Sequence, residues 1–244
     1  MPKISRSQIV AFVEKNIQQF HDKRLKSLEG LKLNTVLKKK NPYLFKAKNI
    51  LLAEEFVKTI TDAFLSSQEE AIFGTFLEEL AIFVCGKSCG GKKSSAEGID
   101  LEFWKNGAIY LVTIKSGPNW GNSQQIRRMQ DNFKQAKRIL RTTTSRSKNI
   151  IAVNGCCYGK EPNPDKGDYF KYCGQTFWSL ISGNKNFYID IIEPLGCKAK
   201  EKNEDFTDAY ATVINKFTKE FMKAFCINGK INWKRVVRFN SAAT

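Results

Sequence analysis

Residues 98–116 constrain the fold of this chain most strongly, and their sequence is GIDLEFWKNGAIYLVTIKS. Apolar and polar residues alternate on both sides of Asn106-Gly107, a pair that strongly favours a two-residue hairpin turn. The stretch therefore predicts two short antiparallel strands. Asp100 lies early in the first strand and Lys115 lies late in the second. We expect the hairpin to bring this acid and this lysine to neighbouring positions.

Helices and strands are predicted on both sides of the hairpin. Apolar periodicity indicates a helix over 7–29 that ends at Gly30, followed by a basic connector that Asn41-Pro42 interrupts. The other segments are predicted as helices over 50–65, 68–84, 124–140 and 206–225, strands over 150–153 and 187–192, a helical turn over 176–181, and loops over 86–98 and 158–174. The stretch 66–69 is expected to interrupt the helix before it and to provide the N-cap of the helix over 68–84. Ser123 is expected to cap the helix over 124–140. This order predicts a mixed α/β layer fold.

The charge of the chain narrows the choice of partners. Forty Lys and Arg residues against 24 Asp and Glu give a net charge of +16. This excess favours a polyanionic partner, and the alternative is a basic protein that has none. The basic residues are spread along the chain, which argues against a membrane-tethering arm. Without an apolar run of membrane-spanning length or a secretory leader, we expect a cytoplasmic protein and no membrane partner.

Histidine and cysteine usage excludes several kinds of chemistry. His21 is the single histidine, so Ser-His-Asp hydrolysis and histidine-dependent metal nucleases lack their residues. The seven cysteines contain no C-x-x-C pair, which indicates reduced thiols in a reducing compartment. A zinc site on Cys85 and Cys89 is an alternative, although no second cysteine pair at ligand spacing supports it.

A stripe of carboxylates precedes the hairpin. Glu70, Gly74 and Glu78 are spaced by four residues and so share one face of the predicted helix. Glycine inside a helix costs about 1 kcal/mol relative to alanine, and a close approach to that face is the usual compensation. The Gly/Ser/Lys-rich loop 86–98 then leads into Asp100. It lacks the spacing of a nucleotide-binding P-loop.

An acid, a lysine and a helix carboxylate meet the needs of phosphodiester hydrolysis. Carboxylates hold Mg²⁺, which keeps several waters and needs only one or two protein carboxylates. A lysine can orient water or offset phosphate charge. The alternative is an ordinary cross-strand ion pair between Asp100 and Lys115. Three features weaken it: the lysine follows an apolar strand, Gly117-Pro118 comes directly after it, and two glutamates share the preceding helix stripe.

These motifs resemble the PD-(D/E)XK nuclease superfamily. The resemblance rests on Gly74-x-x-x-Glu78, the Gly/Ser/Lys-rich loop, Gly98-Ile-Asp100, the hairpin and Thr113-Ile-Lys115-Ser-Gly. The flanking sequences GPNWGNSQQ, KNPYLF and FWS are similar to a group of type II restriction endonucleases in particular. The resemblance implies a restriction-endonuclease-like core, with a central mixed sheet flanked by helices. We expect a helical extension at 1–49 and the endonuclease domain at 50–244.

The same resemblance assigns roles to individual residues. Asp100 matches the metal-binding aspartate, Lys115 the catalytic lysine and Glu78 the helix glutamate, and Ile114 is expected in the metal site. The chain departs from the family at Thr113, which stands where the family has an acid and which we keep in the catalytic set. The missing carboxylate is expected from Glu78, then Glu70, with Glu102 third. A degenerate site is the alternative.

DNA contacts are expected from the loop before the hairpin and from the helix after it. This helix begins close to Lys115, and its arginine and glutamine side chains suit phosphates and base edges, although each could equally be an ordinary surface residue. The expected residues are Lys92, Lys93, Ser94, Ser95, Asn119, Trp120, Asn122, Ser123, Gln124, Gln125, Arg127 and Arg128.

The sequence as a whole predicts a Mg²⁺-dependent type II restriction endonuclease that accepts Mn²⁺ in place of Mg²⁺. Its substrate is double-stranded DNA, and the resemblance implies 5′-phosphate ends. A homodimer is expected because protein symmetry then matches that of a palindromic site. We also expect a cognate DNA methyltransferase as a functional partner and a location in a prokaryotic cytoplasm. The alternatives are a structure-specific repair or junction nuclease and a non-catalytic DNA-binding module.

Overall fold

The computed structural model describes residues 4–143, 149–196 and 199–243. Its helices are Arg6–Glu29 (α1), Leu33–Lys39 (α2), Pro42–Ala47 (α3), Ala53–Cys89 (α4), Ser123–Thr143 (α5), Gln175–Ser182 (α6), Phe187–Asp190 (α7), Ile192–Leu195 (α8), Ala199–Phe225 (α9) and Trp233–Ser241 (α10). Its strands are Lys92–Lys93 (β1), Leu101–Lys105 (β2), Ala108–Lys115 (β3), Ile150–Cys156 (β4), Phe170–Cys173 (β5), Cys226–Ile227 (β6) and Lys230–Ile231 (β7). None of the helices described is long and apolar enough to cross a membrane.

The residues group into two compact units. The first unit contains described residues within 1–17 and 73–197, and the second contains those within 18–72 and 198–244. Helices α1 and α4 contribute residues to both units. We predicted a boundary between two domains after residue 49. This boundary stays a prediction.

The first unit is built on a five-stranded sheet with the order β1-β2-β3-β4-β5. Strands β1, β2 and β3 pair antiparallel, whereas β3, β4 and β5 pair parallel. The turn between β2 and β3 closes on the pair Lys105 and Ala108. Asn106 and Gly107 both have positive φ, at 51° and 76°, as a two-residue hairpin turn of type I′ requires. The predicted hairpin and the mixed α/β fold are confirmed.

Helices cover both faces of this sheet. On one face α5 packs Met129, Phe133 and Ala136 against Leu111, Ile150 and other apolar side chains. Alternation along β4 turns Gly155 to the opposite face, which α6 covers. A Cβ atom at Gly155 would lie 2.3 Å from the ring of Phe177, so only glycine permits this close packing.

The second unit has a helical core that is rich in aromatic side chains. Phe56 of α4 is 1% exposed, and its ring lies 4.9 Å from that of Phe221 and 5.3 Å from that of Trp233. Phe45 of α3 completes this group, and its ring centroid lies 5.6 Å from that of Phe56. Helices α2, α3, α9 and α10 therefore share one apolar core with the part of α4 in this unit.

Two predicted features of the secondary structure are wrong. Residues 66–69 do not interrupt a helix, because α4 runs for 37 residues and Ser67 Oγ donates to Ala63 O inside it. Residues 187–192 form α7 and the start of α8 where a strand was predicted. The buried side chains of this stretch, Phe187 and Ile191, are four residues apart, which is a helical spacing.

Other segments differ in extent or were not predicted. The loop expected over 86–98 contains the end of α4 and the short strand β1. The loop expected over 158–174 contains β5, and the basic connector at 31–49 contains α2 and α3. The hairpin of β6 and β7 and the final helix α10 were not predicted, whereas the helices expected near 7–29, 124–140, 176–181 and 206–225 are confirmed with extended ends.

Candidate active site

Asp100 is held against strand β3 by two hydrogen bonds. Its backbone N–H donates to Val112 O at 2.9 Å, and its Oδ2 accepts from the Ile114 N–H at 2.6 Å. The carboxylate therefore lies beside the backbone that leads into Lys115. The side chain of Ile114 itself is buried, at 4% exposed.

Gly98 permits the chain to enter this position. Its φ is +69°, and a Cβ atom there would lie 1.9 Å from Asn132 Nδ2. Any larger residue would face both backbone strain and a clash with the side chain of α5. The close approach of Asn132 therefore explains why a glycine precedes Ile99-Asp100.

Glu78 shares its surroundings with Asp100. The pKa of Glu78 is raised by its partial burial and by the Asp100 carboxylate, while Lys93 and Lys115 act in the opposite direction. Lys93 Nζ is 4.0 Å from Glu78 Oε1. One turn earlier on α4, a Cβ atom at Gly74 would lie 3.7 Å from Ser116 Cβ. This stripe of α4 therefore faces the end of β3, and the structure brings both carboxylates and Lys115 together.

Lys115 lies against Trp120, with its Nζ 5.1 Å from the ring centroid. This is a cation–π contact, in which the ammonium lies near the negative face of the indole ring. Trp120 is itself fixed, because its Nε1–H donates to Asn154 Oδ1 at 3.1 Å. Asn154 Nδ2 in turn donates to Thr113 Oγ1 at 3.2 Å.

Asn154 was not predicted from the sequence. It is 1% exposed and pairs directly with Thr113 across β3 and β4. The available signal was a single amide inside the apolar run IIAVNGCC. A buried amide requires partners, and only the neighbouring strand and Trp120 reveal which ones it has.

Thr113 occupies the interior of the same network. It is 2% exposed, and its hydroxyl also lies 3.4 Å from Met129 Sδ. This environment accounts for a small neutral side chain, because an ionised carboxylate would be costly to bury there. A direct catalytic role for Thr113 stays a prediction.

The other two candidate glutamates have different surroundings. Glu102 Oε1 lies 3.0 Å from Lys92 Nζ, and its Oε2 accepts from Ser94 Oγ at 3.0 Å. Its carboxylate is therefore engaged with β1 and the following residue. Glu70 is exposed and lies on the part of α4 that belongs to the second unit. A metal-binding role for Glu70 stays a prediction.

Asp100 and Glu78 form a donor set that suits a hard divalent cation. Two carboxylates of like charge in a half-buried setting are stabilised by a cation between them, and Mg²⁺ needs only one or two such ligands. Within the described ranges, no group of three or more His, Cys, Asp and Glu side chains is arranged to hold a metal ion. The zinc alternative on Cys85 and Cys89 therefore gains no support.

Comparison with known families identifies the family of the chain. The family model of the type II restriction endonuclease EcoO109I matches residues 7–203. The chain belongs to this family. No curated protein sequence matches it. As a type II restriction endonuclease family member, the chain has a restriction-endonuclease-like fold, with a five-stranded mixed sheet, flanking helices and an N-terminal helical region.

The loop residues that were expected to contact DNA differ in their exposure and in the contacts that they already make. The side chains of Lys92 and Lys93 are 75% and 73% exposed, although both lie beside glutamates. Ser95 is exposed, whereas Ser94 Oγ is engaged with Glu102 and accepts from the Ala96 N–H at 3.1 Å. Both lysines are thus accessible to a ligand.

The start of α5 presents polar side chains in this restriction endonuclease fold. Asn122, and not Ser123, caps the helix: Asn122 Oδ1 accepts from the Gln125 N–H and Gln125 Oε1 accepts from the Asn122 N–H, both at 3.0 Å. Ser123 is the first residue of α5. The exposed side chains of this region are Asn119, Asn122, Ser123, Gln124, Gln125, Arg127 and Arg128. Arg128 lies 3.4 Å from Glu97, and Trp120 is half-buried against Lys115.

Proposed function

We propose that this chain is a Mg²⁺-dependent, sequence-specific endonuclease that cuts both strands of DNA and leaves 5′-phosphate and 3′-hydroxyl ends. The observation that carries the proposal is the grouping of Asp100, Glu78 and Lys115 at the end of the β2–β3 hairpin in a chain of the EcoO109I family. Mn²⁺ is proposed to replace Mg²⁺, because carboxylate oxygens accept both ions.

Each residue of the site has a distinct task in this proposal. Asp100 and Glu78 hold the cation, and the Ile114 N–H keeps the Asp100 carboxylate oriented. When bound, Mg²⁺ offsets charge on the scissile phosphate and favours ionisation of a nearby water. Lys115 directs its ammonium at a phosphate oxygen and positions the attacking water, while Trp120 limits where that ammonium can go.

The proposed partners follow from the proposed reaction. Lys92, Lys93, Arg127 and Arg128 are exposed cations that suit phosphates or guanine edges. A homodimer is proposed, because two equivalent sites then meet the two strands of a palindromic sequence. A DNA methyltransferase of the same specificity would protect host DNA in a prokaryotic cytoplasm.

One cleavage assay separates this proposal from its alternatives. Phage DNA incubated with the protein and Mg²⁺ should give discrete bands, and 5′-end labelling by a kinase should require prior phosphatase treatment. Cutting of branched DNA alone would instead indicate a junction or repair nuclease. Binding without cutting in both Mg²⁺ and Mn²⁺ would show a non-catalytic DNA-binding module.

A further inference from the structure

Two segments of the second unit carry positive charge without any acid. Residues 30–53 and 221–243 contain no Asp or Glu. Their cations are Lys32, Lys38, Lys39, Lys40, Lys46, Lys48, Lys223, Lys230, Lys234, Arg235 and Arg238. In the whole chain the ratio of cations to acids is only 40 to 24, so the complete lack of acids in these segments stands apart from the average composition.

The two segments pack together although they are far apart in sequence. Asn240 Nδ2 donates to Leu37 O at 2.7 Å and to Lys40 O at 3.2 Å, so α10 satisfies the last carbonyls of α2. Lys38 Nζ lies 5.8 Å from the ring centroid of Phe239 in α10. Helices α2, α3 and α10 therefore present their cations on one joint surface.

Apolar residues and cations lie on opposite sides of α10. Val236 is 2% exposed, and Trp233 packs against the same core. The exposed residues Lys234, Arg235 and Arg238 fall on the outer side at helical spacing. Lys46 of α3 lies 5.9 Å from the Trp233 ring centroid, so the cations of α3 adjoin those of α10. We call the surface formed by Lys38, Lys39, Lys46, Lys48, Lys234, Arg235 and Arg238 the basic face.

The cations of the basic face lack carboxylate partners in the part of the chain that the structure describes. All seven side chains are exposed, and none of them forms an ion pair with a carboxylate in the described parts of the chain. In α9 of the same unit, by contrast, Lys202 lies near both Glu201 and Asp205. Uncompensated like charges repel each other, so a polyanion that binds this face would relieve that repulsion.

We propose that the basic face binds the sugar-phosphate backbone of duplex DNA without reading its base sequence. The proposal rests on the proposed function, which makes DNA the polyanion that this chain meets. Duplex DNA carries one charge per about 1.7 Å of its axis, and nine helical residues span about 13 Å, so α10 matches several phosphates.

Side chains beside the lysines add hydrogen-bonding capacity for phosphate oxygens. A recess of about 350 Å³ is lined by Lys38, Lys39, Lys40, Tyr43 and Asn240, among others. Tyr43 is 62% exposed and so can present its hydroxyl to a phosphate. An anionic membrane is the weaker candidate, because the apolar side of α10 is already packed into the core and cannot insert into lipid.

The salt dependence of DNA binding tests the basic face. The test variant carries Lys38→Gln, Lys39→Gln, Arg235→Gln and Arg238→Gln. The control variant loses the same charge at exposed lysines outside the face, through Lys15→Gln, Lys58→Gln, Lys216→Gln and Lys219→Gln. Binding of the full chain to a duplex of about 40 base pairs is measured in EDTA between about 50 and 200 mM KCl. Thermal melting checks that both variants remain folded.

Loss of four phosphate contacts should change the slope of log K against log salt by about 3 to 4 units, since each contact contributes about 0.9. We expect the test variant to bind at least about tenfold more weakly at 100 mM KCl, and the control to keep its slope within about one unit. Equal slopes for the two variants would overturn the role of the basic face. If the unmodified chain did not bind DNA at all, the proposed function itself would be overturned.

Two further arms test the nature of the partner. The test variant should cut phage DNA at the same sites as the unmodified chain, and a new fragment pattern would contradict binding without base reading. Vesicles that contain phosphatidylserine should not bind the chain. Vesicle binding that is lost in the test variant while its DNA slope is retained would assign the face to a membrane and overturn the proposal.

Discussion

At the residue scale, Asp100 combines an expected chemical role with a structural one. Its Oδ2 accepts the Ile114 N–H, so an alanine at this position would disturb the hairpin as well as the site. Asparagine keeps an acceptor for that N–H but removes the charge. Substitution by asparagine therefore separates metal binding from the structural hydrogen bond.

Asp100→Asn and Lys115→Ala should each reduce DNA cleavage at least about 100-fold while DNA affinity stays within a few fold. The reason is that both groups are proposed to act on the cation and the scissile phosphate. Single-turnover cleavage and gel-shift binding measure the two quantities. Glu102→Gln is the matched control on β2, since its carboxylate is engaged with Lys92 and Ser94. A normal cleavage rate in either Asp100→Asn or Lys115→Ala would show that the site is misassigned.

Two separate substitutions on α4 test which glutamate completes the site. Glu78→Gln should lower cleavage at least about tenfold and raise the Mg²⁺ concentration needed for half-maximal rate. Glu70→Gln should change both by less than about threefold, because Glu70 lies about 12 Å from Glu78 along the axis of α4. Cleavage is titrated with Mg²⁺ for both variants. The reverse order of effects would move the second carboxylate to Glu70.

The raised pKa of Glu78 determines how pH should affect its proposed binding of the cation. Because its folded pKa lies above the usual value, a larger fraction of Glu78 is protonated at mildly acidic pH than of an ordinary glutamate. A protonated carboxyl is a poor cation ligand, so cation binding is favoured as pH rises through that pKa. A bound cation would itself lower this pKa, since it stabilises the carboxylate.

Thr113→Val tests whether the threonine hydroxyl acts in the chemistry or in the packing. Valine keeps the shape but leaves Asn154 Nδ2 without its partner, which should cost about 1 to 3 kcal/mol of unfolding free energy. We expect cleavage to stay within about fivefold, because Trp120 keeps its bond to Asn154 Oδ1. Denaturant unfolding and cleavage kinetics measure the two effects. A collapse of cleavage with little loss of stability would establish a catalytic hydroxyl.

At the scale of elements, the hairpin was predictable because its signals are local. Asn106-Gly107 sets the turn, and the alternation of apolar residues sets the register. The continuous helix α4 was missed because the polar stretch 66–69 suits a helix surface as well as a helix start. Strand β5 was missed because it forms only through pairing with β4, a partner that its own four residues do not reveal.

The entry into the hairpin offers a test of an element's geometry. Gly98→Ala should destabilise the fold by more than Gly107→Ala, although both glycines have positive φ. The strain of that backbone costs about 1 to 2 kcal/mol in each case, but only Gly98 also meets Asn132. Unfolding free energies of the two variants measure the difference. Adding Asn132→Ala to Gly98→Ala should recover part of the loss, and no recovery would contradict the contact.

At the scale of the whole molecule, composition predicted a polyanionic partner but not where it binds. The surplus of +16 is an average over the chain. Only the packing of α10 against α2 and α3 shows that two acid-free segments form one surface. The same limit applies to the site. Asp100, Lys115 and Glu78 belong to sequence motifs and could be predicted. Asn154 could be recognised only from its contacts with Thr113 and Trp120 in the structure.

The proposed homodimer predicts a specific product when active and inactive chains are mixed. A dimer with one Asp100→Asn protomer should cut one strand of a plasmid site and leave an open circle, since each protomer serves one strand. Equal mixing after subunit exchange should make about half of the dimers mixed, by random pairing. Agarose gels that resolve supercoiled, open-circular and linear plasmid measure the products. A monomeric enzyme mixed with inactive chains would give the same product pattern as the unmodified chain at half its concentration, with no additional open circles, and sedimentation at the monomer mass would agree with that outcome.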